Sequence, residues 1–238
     1  LRMEPGNEAA AERLRLIYGE IEEWDKVAEV YLTQESAATT DEAKARLRAA
    51  AADVYQNRLK DKNRAISHYE KALQLNPKLH DVALALARAY VSHEKWEKAE
   101  PLLDMLLSGS DTAQDPARAG EIHFNLGLCA EKMFDFEKAF REYQAAVRTR
   151  GDHVGTMLGL GRLYQRKQLW QLAKDHFLKA LDLAGSAIEG EERIEILFSL
   201  GEVSLELNEL SDAVDFLDQV LAADPNHAKA VNIQIAIA

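Results

Sequence analysis

The chain has 238 residues, 47% hydrophobic and only 7% aromatic, with a formal net charge of −11. Ala, Leu, Glu and Lys dominate, which favours helices over sheets. The acidic balance disfavours nucleic acid as the main partner, because phosphate contacts need a basic surface, and no apolar run approaches the ~20 residues of a membrane-spanning helix. A single cysteine, Cys129, rules out an intramolecular disulfide. With no signal peptide and no initiator Met before Leu1, the sequence reads as a piece of a longer protein.

Taken in chain order, apolar residues spaced by three and four predict a series of paired amphipathic helices. The first pair, about 8–36, carries Trp24, Val27, Tyr31 and Gln34 on its second helix. The second pair, about 40–76, opens on "TTDE" at Thr39 to Glu42, a capping-box pattern, and carries Ala65, Tyr69 and Ala72. The third, about 78–109, repeats the figure as Trp96, Ala99, Leu103 and Leu106. The fourth, about 115–150, starts with Asp115 as cap and Pro116 in the first turn, followed by Phe136, Ala139, Tyr143 and Ala146. The fifth, about 152–186, has Trp170, Ala173, Phe177 and Ala180. The sixth, about 189–225, starts at "EGEER" from Glu189 and carries Leu210, Ala213, Leu217 and Val220. Only Lys62 breaks the column of large apolar residues three before each small one. Residues 226–238 start a seventh pair. There "AKAVNIQIAIA" alternates with period two, a strand pattern in isolation, but the repeat context favours a truncated helix.

The first helices share a column of their own: Ala51-Ala52, Leu86-Ala87, Leu126-Gly127, Leu160-Gly161 and Leu200-Gly201, with Tyr55, Tyr90 and Tyr164 three residues on. The small residue lets the second helix approach closely. This decides how "GLGRLY" at 159–164 is read. Gly161 belongs to the column, the third glycine of a dinucleotide fingerprint is missing, and no strand precedes it, so both glycines are packing residues. The small residues of the second helices fall at 27, 65, 99, 139, 173 and 213, giving intervals of 38, 34, 40, 34 and 40. Long and short repeats therefore alternate, with Ala65, Ala139 and Ala213 each 74 residues apart. The lengthened first helices gather Asp41, Glu42, Asp111, Asp115, Glu191 and Glu192 along one edge, read as a solvated acidic rim.

This column pattern over six copies, with Pro77 and Pro225 closing two of them, resembles the tetratricopeptide-repeat (TPR) family, and more narrowly large bacterial TPR scaffold proteins. The resemblance implies an all-α, right-handed solenoid of six helix pairs plus a truncated C-terminal helix, forming one domain over 1–238. The departures are Arg15 at a small-residue place, Val27 for alanine, and Ile235 at the small-residue place of the last segment.

Catalytic signatures do not emerge. His68, His80, His93, His123, His153, His176 and His227 include no pair at i, i+3 or i+4 on one helix, so the spacing offers no metal site. Cys129 falls where Leu163 and Val203 stand in other repeats and reads as a buried apolar residue. Phosphate loops and nucleophile elbows are absent. The expectation is no enzyme activity, no cofactor and no metal.

Ligand contacts in the family come from first-helix positions facing away from the second helix. By register these are Ala49, Asp53 and Gln56; Leu84, Arg88 and Val91; Phe124, Leu128 and Glu131; Leu158, Arg162 and Gln165; and Phe198, Glu202 and Leu205. The resemblance does not extend to a carboxylate clamp, whose lysine, asparagine and arginine are replaced in one column by Leu84, Phe124, Leu158 and Phe198. An apolar stripe flanked by Arg88 and Arg162 suits an amphipathic helix or an extended apolar segment of a protein partner. For Leu84 and Leu158, packing between neighbouring first helices is an equal alternative; Phe124 and Phe198 are read as interface anchors. Family analogy implies an organiser of a multiprotein assembly in secretion, motility or signalling, in the cytoplasm or alternatively the periplasm. The competing readings are a spacer or self-associating module, with homo-oligomers through the apolar end at Val231, Ile233, Ile235 and Ile237, and an accessory docking subunit for an enzyme.

Overall fold

The computed structural model describes residues 7–109, 115–185 and 190–237, and among these every regular element is a helix. There are thirteen: α1 Glu8–Glu20, α2 Trp24–Ala37, α3 Asp41–Asn57, α4 Lys62–Leu75, α5 His80–Ser92, α6 Trp96–Leu107, α7 Pro116–Lys132, α8 Phe136–Arg150, α9 Val154–Arg166, α10 Trp170–Ala184, α11 Glu191–Glu206, α12 Leu210–Ala223 and α13 Ala228–Ile237. They make six antiparallel pairs and a shorter last helix, an all-α arrangement of repeated helix hairpins. The chain divides into two compact units, Leu1–Gly109 and Ser110–Ala238. In the first, α1 packs on α2, α2 on α3, and so on to α6; in the second, each helix packs on its predecessor and α7 also touches α9.

The alternation of repeat lengths lies in the first helices. α3, α7 and α11 have 17, 17 and 16 residues, against 13 each for α1, α5 and α9. Asp115 caps α7 by accepting the Arg118 N–H, with Pro116 at the first helical position. The α3 start differs from the capping box of the sequence reading. Thr40, not Thr39, is the cap and accepts the Ala43 N–H at 3.2 Å. Glu42 therefore lies one residue short of the reciprocal position and pairs with Arg46 at 3.1 Å. Glu189 and Asp111 lie outside the described residues; Asp41, Glu42, Asp115, Glu191 and Glu192 of the acidic edge are exposed. The period-two segment at the end is helical.

Every turn inside a pair holds one residue in the left-handed backbone region. Glu22, Lys60, Glu94, Phe134, Gln168 and Asn208 all adopt positive φ, between 54° and 66°. In five of the turns the next N–H donates five residues back, as in Asp135 to Ala130 at 2.9 Å and Leu169 to Tyr164 at 3.0 Å, a Schellman closure. The α3–α4 turn is one residue longer, and Asp61 donates to Tyr55 instead. None of these six residues is glycine, so each position costs about 1 kcal/mol of backbone strain, offset by the packing that the reversal permits. The first residue of every second helix is the large-apolar column, with Lys62 its exception.

That packing is tight where the columns meet. Ala65, Ala72, Ala99, Leu103, Ala139, Tyr143, Ala173, Phe177, Ala213, Leu217 and Val220 are almost fully buried. A Cβ on Gly127 would stand 2.6 Å from the Tyr143 ring, and one on Gly161 would stand 2.5 Å from Phe177. Gly159, without a counterpart in the column, packs on the other side of Tyr143: its Cβ would lie 2.4 Å from that ring. Tyr143 is thus clasped by glycines of two successive repeats, a close approach that no side chain would allow. Cys129 is buried.

Candidate functional site

The register-predicted positions divide into three kinds once side chains are placed. Leu84 and Leu158 retain 6% and 4% of their surface, and Leu158 belongs to the core that includes Tyr143, Met157 and Leu160. The sequence reading left these two between groove and packing; they are packing residues, because side chains so covered offer a partner no area. Ala49 is buried as well. Arg88 is exposed, and Gln56, Val91, Leu128 and Leu205 are half-buried.

A second group is committed to the protein's own polar network. Arg162, expected to flank an apolar stripe, donates through Nε and Nη2 to the two oxygens of Glu131 at 2.7 and 3.0 Å, and through Nη1 to Glu195 at 3.2 Å. Tyr143 donates its hydroxyl to the same Glu131 at 2.6 Å. Burial pushes the Tyr143 phenol above its ordinary range, and the neighbouring Glu131 charge acts in the same direction. Burial on its own would lower Arg162; the hydrogen bonds and charge of Glu131, with Tyr143 and Glu195, outweigh it and hold the guanidinium above its usual value. The arrangement ties α7, α8, α9 and α11 together with bidentate geometry. Gln165 extends it by donating to Glu202 at 3.2 Å. The face that the sequence reading pictured as an apolar stripe between arginines is, in the second unit, a charged ladder with apolar residues set into it. In the first unit Asp53 accepts the Tyr69 hydroxyl. Desolvation raises its carboxyl, and that hydrogen bond partly offsets the rise.

The third group is the two phenylalanines, both half-buried. Phe124 meets His153 edge-on at 5.1 Å and Tyr143 at 6.2 Å, and its ring tip lies where a Cβ on Gly155 would be, 2.8 Å away. Phe198 meets His227 at 4.8 Å, with the Lys229 ammonium 6.0 Å from the ring centre. It lines a cleft of about 420 Å³ with Glu191, Ile194, Glu195, Asp224, His227, Ala228 and Lys229. His153 and His227 stand immediately before α9 and α13, each 29 residues after its phenylalanine and 74 residues from the other. The sequence reading missed these partners. The 74-residue super-repeat was the signal that would have found them, since it maps Phe124, His153 and Gly155 onto Phe198, His227 and Lys229.

Among the described residues, no three His, Cys, Asp or Glu side chains are grouped as a metal ion would require, and no helix is long and apolar enough to cross a membrane. Several histidines are engaged within the fold: His68 stacks on Tyr55 at 5.2 Å, His176 lies 4.9 Å from Tyr164, and His123 Nδ1 is hydrogen-bonded to Glu142 at 2.7 Å.

Comparison with known proteins agrees with this architecture. Tetratricopeptide-repeat family models match residues 58–119, 120–153 and 153–226. The chain is 25% identical over 188 residues to Superkiller protein 3 of Schizosaccharomyces pombe, covering 78% of this chain and 13% of that protein. It is 30% identical over 166 residues to Protein FlbA of Caulobacter vibrioides, covering 69% of this chain and 26% of that one. The chain therefore spans a minor part of either relative. Among solved structures, Pseudomonas aeruginosa PilF superposes with a TM-score of 0.74 at 15% identity, covering 96% of both chains. PilW, a type IV pilus biogenesis factor, gives 0.68 at 15% identity, covering 95% of this chain and 97% of that one. YrrB, a TPR protein with an unusual peptide-binding site, gives 0.57 at 17% identity, covering 80% and 91%. With three matching models running through its repeats and helix pairs closed in one recurring way, the chain belongs to the tetratricopeptide-repeat family.

Proposed function

We propose that the chain is a non-catalytic scaffold that holds a helical or extended segment of a protein partner on the first-helix face of its second unit. The observation that carries this reading is Phe198, a large aromatic left at the floor of an open cleft rather than sealed in the core; such residues anchor interfaces. Leu128 and Leu205 add partly exposed apolar area on first helices of the same unit. The tetratricopeptide-repeat fold supports an interaction scaffold, and the structural neighbour YrrB has a peptide-binding site. The assembly served, whether in secretion, motility or signalling, is proposed from the family alone.

The test is capture of partners from the source cell on the immobilised chain, compared with Phe198→Ala. Loss of specific partners with circular dichroism unchanged is the expected result, and an unaltered set removes this face from the account. Self-association is a second reading, favoured by Ile235, which is 71% exposed on α13. Light scattering that shows one mass across concentration would discard it.

A further inference from the structure

The cleft above Phe198 has a chemistry of its own. Its floor is apolar, from Phe198 and Ile194, while Glu191 and Glu195 on α11 and Asp224 at the end of α12 line it with carboxylates. Glu195 is held in place by Arg162 at 3.2 Å. The chain's own Lys229, on the cleft wall, brings its ammonium to 6.0 Å from the centre of the Phe198 ring. That is the outer limit at which the ring quadrupole attracts a cation, and Lys229 is exposed, so its ammonium is free to move into water.

We propose that the cleft receives an arginine or lysine of a protein partner, carried on an otherwise apolar segment, and that Lys229 marks and competes for the place of its charged head. This assignment rests on the docking face inferred for the second unit. The physical case is complementarity. A basic side chain lays its methylenes on Phe198 and Ile194, brings its charge over the ring, and meets carboxylates whose field concentrates cations at the cleft. An acidic segment would meet like charge at the same point, which disfavours it strongly. A second copy of this chain, with net charge −11, would be opposed by like charge as it approached.

The experiment is fluorescence anisotropy on the whole chain with two labelled amphipathic peptides, one of Leu, Ala and Arg, the other with Glu in place of each Arg. The arginine peptide is expected to bind about tenfold more tightly, and to lose that advantage as salt rises from about 0.05 M to about 0.5 M. Glu191→Gln should weaken it about threefold, and Lys229→Met should strengthen it about threefold. Equal affinity for the two peptides, no binding of either, or indifference to both substitutions overturns the proposal. If Phe198→Ala still abolishes partner capture in that event, the docking face stands and only the basic side chain is lost.

Discussion

The surroundings of Phe124 and Phe198 are one device used twice. Each phenylalanine sits on the first helix of a long repeat, 74 residues apart, and each is met by the histidine that opens the next repeat. They differ in what stands around the ring: Tyr143 flanks Phe124 where Leu217 holds the matching place, and Gly155 corresponds to Lys229. Gly155 lets α9 come up against Phe124, so the ring is pressed among His153, Tyr143 and helix backbone. Lys229 stands at the matching place beside Phe198, and there a cleft remains. A missing Cβ thus lets α9 close on Phe124, whereas at the matching place a long cationic side chain borders a cleft beside the equally half-buried Phe198. Register alone places both on one helix face; local volume separates them.

The comparison can be broken most severely behind Phe124. Gly159→Ala places a Cβ 2.4 Å from the fully buried Tyr143 ring, which has no room to yield. Destabilisation of roughly 3 kcal/mol is expected, with disruption of the Glu131–Arg162 ladder, measured by urea unfolding. Next come the phenylalanines themselves. Phe124→Ala should cost about 2–3 kcal/mol and Phe198→Ala about 1 kcal/mol, because the first leaves a cavity among packed rings and the second enlarges an existing cleft. Equal losses would erase the distinction drawn between them. Gly155→Ala should cost about 1–2 kcal/mol by pushing the Phe124 ring outward, a change that nuclear Overhauser contacts between Phe124 and Tyr143 would register.

The smallest effect is one of pH. Burial, aided by the nearby positive charge of Arg150, holds the His153 imidazole below its ordinary value. The unfolded chain therefore takes up this proton more readily than the folded one. The stability contribution is complete above about pH 6.5 and declines as pH falls through the lowered folded value. Melting at about pH 5.5 should fall below that at about pH 7.5, with His153→Gln removing under about 1 kcal/mol of the difference. His68 and His93, also lowered by burial, retain the rest of the slope.

Helix pairing, the alternation of long and short first helices, the glycine and alanine columns and the helical last segment were all legible in the residues. The first three follow from local periodicity or side-chain size and the last from repeat context against its own period-two pattern, all of which a sequence states directly. The turns were legible in place but not in conformation, since Glu22, Lys60 and Phe134 carry no mark of the left-handed backbone that packing imposes on them. At the candidate site, the positions were legible and their roles were not. Leu84 and Leu158 share a register column with Phe198, and what surrounds them separates buried packing from a cleft floor. Arg162 is withdrawn from a partner by Glu131, 31 residues earlier, and Phe198 owes its cleft to the segment that starts at His227. Exposure and charge pairing are sums over neighbours brought in from other repeats, so only the tertiary structure could decide them.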